Sequence, residues 1–238
     1  MKLKERILLA LQEELEPLGF RYVKSLSTFK RKIDRDATVE LVYDADCFHH
    51  GFTDVTLLAG AEYRDIEEVQ YKLTNKNAAT AGHLGFVCRL QWLLPEGESA
   101  NWDFSFRDSD SEEAINRKLG KLLQRMKTYL LPYIEQLSHK DSAIEATAML
   151  DRMDLLFHEG LVPIMYCVWK HDKQAALDYL EEKRMRLLGR VKPEEWELVE
   201  RFKSGERFGE KNPFNALTYD EFMTFASRFK EWVQEQDY

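Results

Sequence analysis

The densest group of residues able to do chemistry lies between Asp44 and His50. Asp44, Asp46, Cys47, His49 and His50 are all metal-ligand types, and they stand where a strand pattern gives way to a polar loop. The activity such a cluster would support is metal-dependent hydrolysis. The spacing matches no HExxH pattern, and no second His or Cys cluster exists to complete it. Adjacent histidines in an extended segment also point to opposite faces. A polar loop between strands accounts for the same residues, and no metal or other cofactor is expected.

A second group is basic: Arg21, Lys24, Lys30, Arg31, Lys32 and Arg35. With Tyr22 and Phe29 among them, they form a hairpin suited to RNA or to an acidic protein. Along a strand, Lys30 and Lys32 share one face and Arg31 takes the other. Lysines on an edge strand also guard against aggregation, which is the plainer account of them.

Three smaller groups complete the set. Asp108-Ser109-Asp110-Ser111-Glu112 begins like a calcium loop, but Glu113 replaces the required Gly and Leu119 the closing Glu. Helix capping by Ser109, with Glu112 three residues later, explains it better. His158-Glu159, with Asp154 one turn earlier, has acid–base types, yet a helix end favours a charged histidine without catalysis. Asn212-Pro213-Phe214 reads as a turn rather than as a peptide ligand. There is no nucleophile elbow, phosphate loop or dinucleotide fingerprint, and the 11 glycines are never grouped as such loops require.

The elements that would position these groups follow from apolar spacing. Leu3, Ile7, Leu8, Leu11 and Leu15 predict a helix ending near Pro17, with Gly19 in the turn beyond. Phe20 to Ile33 reads as extended, with a bulge or bend near Ser25 to Thr28. Asp34-Arg35-Asp36 turns the chain into a partner strand with Val39, Leu41 and Tyr43 inward. Val55 to Tyr63 is a third strand, and Asp65 to Leu73 a short helix. Thr74 to Gly82 reads as a loop. Leu84, Phe86, Cys88, Leu90, Trp92 and Leu94 alternate as a fourth strand. Trp102, Phe104 and Phe106 make a fifth, pairing with the fourth across Pro95 to Glu98. Glu40, Thr56, Arg89, Gln91, Asp103 and Ser105 fall on the opposite, wet face.

From Ser111 to Leu137 apolar residues recur at steps of three and four, a long helix that Pro132 should kink or break around Leu131. Later helices are predicted from a cap at Asp141 or Ser142 to near Gly160, from Asp172 to Gly189, and from Pro193. The last of these should bury Trp196, Leu198, Val199 and Phe202. Thr218, with Glu221, should cap a final helix whose stripe is Phe222, Phe225, Phe229, Trp232 and Val233. The expected class is α+β: an antiparallel sheet of about five strands flanked by helices over 1–137, then a helical half over 138–238.

Composition sets the outer bounds. The 238 residues are 44% hydrophobic, enough for one large or two modest cores. No run of about 18 apolar residues offers a membrane span, and Glu13 and Glu14 cut the first apolar run too short for a signal peptide. A cytoplasmic protein is expected. Cys47, Cys88 and Cys167 are dispersed and odd in number, which fits buried thiols rather than disulfides. A net charge of −8 disfavours duplex nucleic acid as a partner.

Leu18-Gly19-Phe20, Ser27-Thr28-Phe29-Lys30-Arg31 and Tyr129-Leu130-Leu131-Pro132-Tyr133 together resemble a bacterial family, family 4304 in the domain-of-unknown-function series. The resemblance spans roughly residues 1–137. It implies a helix–sheet–helix domain and a bacterial source, and it carries no catalytic residues.

The missing catalytic motifs, the acidic balance and the aromatic-rich elements make a non-enzymatic protein-interaction or regulatory module the leading expectation, an immunity-type partner among the forms it takes. The alternatives are a metal-dependent hydrolase at Asp44 to His50 and RNA binding at Arg21 to Arg35. The expected partner is another protein, with no membrane involved.

Overall fold

A computed structural model describes residues 2–46, 51–74, 88–95, 104–153, 160–205 and 213–236. The chain is α+β, with an antiparallel sheet and a helical C-terminal part. It forms two compact units, Met1–Arg64 with His83–Leu156, and Asp65–Gly82 with Phe157–Tyr238. Each unit draws on two stretches of chain.

In the first unit helix α1 (Leu3–Leu15) buries Ile7, Leu11 and Leu15, spaced by one turn. A 3-10 turn over Glu16–Leu18 carries Pro17, and Gly19 takes φ 84, a left-handed conformation that glycine adopts at no steric cost. Strands β1 (Arg21–Val23) and β2 (Thr28–Lys32) follow. The expected bulge between them is a full reversal. Lys24–Leu26 form a 3-10 turn, Ser27 takes φ 50, and β1 pairs antiparallel with β2. Strand β3 (Ala37–Asp46) and strand β4 (Phe52–Tyr63) are the long centre of the sheet, in register from Ala37 opposite Tyr63 to Asp46 opposite Asp54.

Period-two alternation puts Val39, Leu41, Tyr43, Val55, Leu57, Ala59 and Ala61 on one buried face. The predicted fourth strand shrinks to β5 (Cys88–Arg89), because Leu90–Leu93 wind into a single helical turn, α3. Leu84, Phe86, Trp102 and Asp103 lie outside the described residues. Strand β6 is Ser105–Arg107. β5 and β6 do not pair with each other among the described residues. Both lie on β4, at Leu58–Ala59 and Phe52–Asp54. Twelve residues of β4 outreach either short partner, so two fit on one side of it.

Pro132 does not interrupt the long helical run. Helix α4 (Glu112–Arg125) continues through a π-helical stretch, Met126–Leu130, into α5 (Leu131–Leu137). The Leu131 N–H reaches back to the Met126 carbonyl, and Pro132 falls in the first turn of α5, where a missing N–H is tolerated. α5 lies against β3 and β4, and the Tyr63 hydroxyl donates to the Leu137 carbonyl. Helix α6 (Lys140–Arg152) starts from His139, before the expected caps Asp141 and Ser142.

The second unit holds α2 (Arg64–Thr74, within it from Asp65), α7 (Leu161–Lys170), α8 (Lys173–Leu188), α9 (Pro193–Lys203) and α10 (Phe214–Gln234). Asp172 caps α8 by accepting the Ala175 N–H at 2.9 Å. The stripe Phe222, Phe225, Phe229, Trp232 and Val233 is buried, as its spacing requires. Thr218 is not the cap of that helix. It lies a turn inside and donates to the Phe214 carbonyl, and α10 starts five residues earlier than expected. No helix among the described residues is long and apolar enough to cross a membrane.

Candidate functional site

The β1–β2 hairpin forms one edge of the sheet, since β1 pairs only with β2 among the described residues. Register places Arg21 opposite Lys30, with Lys32 two residues further on the same face. Three of the predicted basic residues are thus gathered on the wet side. Lys24 stands in the tight turn at the hairpin's end, exposed.

These four cations differ in their partners. Lys30 Nζ lies 3.2 Å from Glu40 Oε2 and 3.1 Å from Glu62 Oε1. Burial alone would lower its pKa. The hydrogen bond to Glu62 and the charge of Glu40 overcome this, and it sits above the ordinary lysine value. Glu40, expected on an open wet face, is only 4% exposed beneath this ammonium. Lys30 is therefore a structural cation. Arg21, Lys24 and Lys32 are exposed and have no ion-pair partner among the described residues. Arg35 is also exposed, in a turn flanked by Asp34 and Asp36.

Arg31 points the other way, as alternation predicts. Its Nη2 donates to Glu135 Oε2 and to Ser138 Oγ, both at 2.9 Å, and its guanidinium stands 5.1 Å from the centre of the Phe20 ring. The Arg31 hydrogen bond holds the Glu135 carboxyl below its usual range. The aromatics follow Arg31: Phe29 is fully buried, and Tyr22 packs on it at 4.9 Å between ring centres. The basic face has no aromatic of the hairpin on it. Beside β1 runs an open groove of about 500 Å3, lined by Gln12, Glu16, Gly19, Phe20, Arg21 and Tyr22.

Among the described residues the other sequence candidates are not brought together. Asp44 is exposed on the wet face of β3, opposite Thr56. Asp46 ends that strand, while Cys47, His49 and His50 lie outside the described residues. Among the described residues no three His, Cys, Asp or Glu converge as metal ligands. Ser111, not Ser109, caps α4, accepting the Ala114 N–H at 3.2 Å. Asp110 holds Lys118 at 2.7 Å and accepts the Arg107 N–H at 2.9 Å, which lowers its pKa. The calcium-like run is thus a helix start. Asp154, His158, Glu159 and Asn212 lie outside the described residues, and Phe214 is the exposed first residue of α10.

One surface contradicts the sequence expectation. Trp196 is 42% exposed, and Phe202 is exposed with it, although both were expected inside α9. Trp196 meets Tyr219 edge-on at 5.6 Å, and Tyr219 accepts from Arg184 at 3.4 Å, beside exposed Met185. Helical spacing put Trp196 near the apolar face, and only packing shows which side of that boundary it takes.

No family model matches the chain, and neither do any curated proteins or solved structures.

Proposed function

We propose that this protein is a non-enzymatic module that binds another protein through the β1–β2 hairpin. One observation carries the reading: Arg21, Lys24 and Lys32 are exposed and have no ion-pair partner among the described residues, in a chain of net charge −8. Elsewhere on the same hairpin cations are matched, Lys30 to Glu40 and Glu62 and Arg31 to Glu135. Paired charges hold the fold, and unpaired ones remain to meet a partner of opposite sign. On the second unit taken by itself, the exposed Trp196 and Met185 are residue types enriched in protein interfaces.

RNA is the competing partner for the same cations. Single-stranded RNA is gripped by stacking its bases on exposed aromatics. The hairpin's two aromatics are turned to the covered face instead, Phe29 fully buried and Tyr22 packed on it.

The test is site-specific photo-crosslinking in cells that make the protein naturally. A benzophenone amino acid at Lys32 is expected to give a discrete adduct that protease removes and nuclease leaves intact. The same group at the exposed Glu145 on α6 should give none. No adduct at Lys32, or one that nuclease removes, overturns the reading.

A further inference from the structure

We infer that the partner segment is an acidic, extended peptide that adds to the free side of β1 as a further strand of the sheet. The inference rests on the protein-binding role proposed above and specifies its partner. β1 ends the strand order, so its outer side has no strand neighbour among the described residues. Unpaired backbone groups on such an edge are a template for strand addition. The groove of about 500 Å3 is lined by Arg21 and Tyr22 of this strand, by Gly19 and Phe20 before it, and by Gln12 and Glu16. A peptide entering it meets backbone on one side and a helix end on the other.

Charge selects the sequence of that peptide. In an antiparallel pair, directly opposed side chains are about 5 Å apart and diagonal ones about 7 Å. Acidic side chains on the wet face of an added strand would lie beside Arg21. Lys32 stands on the same face one strand further in, and Lys24 stands at the hairpin's tip. The side chains between them would face the groove. The preferred occupant therefore alternates carboxylates with small or apolar residues. Glu16 in the groove wall disfavours further acid on that second face.

The probe is a fluorescein-labelled alternating Glu-Thr peptide of roughly eight residues, enough to span a short edge strand, followed by fluorescence anisotropy against the full chain. Binding that weakens with added salt is expected, with at least about a tenfold loss in Arg21→Glu/Lys32→Glu. Circular dichroism of the variant checks that it is folded. The same peptide N-methylated at alternate residues should not bind, since strand pairing needs its N–H groups. A Lys-Thr peptide should not bind either. The inference falls if the Glu-Thr peptide does not bind, if the charge reversals leave binding unchanged, or if the N-methylated peptide binds as well. It also falls if an oligouridylate of equal length binds more tightly than the peptide. Should a protein adduct form at Lys32 while the peptide fails, the protein-binding role stands and this partner class does not. Failure of both removes the two together.

Discussion

The ring of Phe225 occupies the space that a side chain at Gly160 would fill. A Cβ built on Gly160 would stand 1.8 Å from Cζ of Phe225, far inside any real contact. Gly160 also takes φ 79 at the start of α7, the left-handed region. Two constraints, one local and one tertiary, therefore fall on one residue.

Gly160→Ala should destabilise the second unit severely, by about 3 kcal/mol or more, through combined overpacking and backbone strain. Gly205 is the control. It has φ 94, but among the described residues nothing lies within 4 Å of a built Cβ. Gly205→Ala should lose only the backbone component, about 1 kcal/mol. Urea denaturation of the two variants compares them directly. Equal losses would show that the Phe225 contact costs nothing.

Glu195 joins the starts of two helices. Its Oε2 accepts the Lys192 N–H at 2.8 Å, and its Oε1 accepts the backbone N–H and the Nδ2 of Asn215, each at 3.2 Å. Burial pushes its pKa up, and the donors at Lys192 and Asn215 outweigh burial and hold it below the ordinary value. A lowered folded-state pKa means stability that is complete above the unfolded carboxyl's range and lost as pH falls through the folded value. Glu195→Gln should lower the thermal midpoint at pH 7. The gap to wild type should narrow on acidification, read from melting curves between neutral and acid pH. A constant gap would assign the loss to shape instead of charge.

Lys30 covers a buried carboxylate. Glu40 has a side chain only 5% exposed, and Lys30 is its ion-pair partner at 3.2 Å. Lys30→Met should cost about 2–3 kcal/mol, because it strands that charge; the part-exposed Lys30 keeps the figure below that of a fully buried pair. Adding Glu40→Gln should recover part of the loss. A double-mutant cycle in urea measures the recovery. Strict additivity would argue against coupling.

Cys88 is fully buried, and burial pushes its thiol up to about 12. Native protein at pH 8 should resist iodoacetamide at this residue, with modification appearing only in urea, as peptide mass spectrometry would show. The sign for stability is the reverse of that for Glu195. The unfolded thiol releases its proton first, so stability declines as pH rises above the ordinary thiol range towards 12. Rapid native labelling at Cys88 would mean that the β5 region opens readily.

The sequence by itself determined the elements whose pattern is local. Period two in Val39 to Tyr43 and Val55 to Tyr63 marks strands that can bury only one face. The Phe222 to Val233 stripe marks one side of a helix. It also determined that Arg31 opposes Lys30 and Lys32, because alternation is a property of the extended backbone. Tertiary structure decided what depends on neighbours distant in the chain. Cys88 to Leu94 alternates like a strand, yet most of it is a helical turn, because β4 gives strand pairing only to Cys88 and Arg89 here. The turn at Lys24–Leu26 became a reversal once β2 paired with both β1 and β3. No spacing rule distinguishes Lys30 from Lys32. The difference comes from Glu40 and Glu62, which lie 10 and 32 residues away from Lys30 and are brought beside it by the sheet. A cation's role depends on which charges the fold sets against it, and that is a property of the assembled sheet.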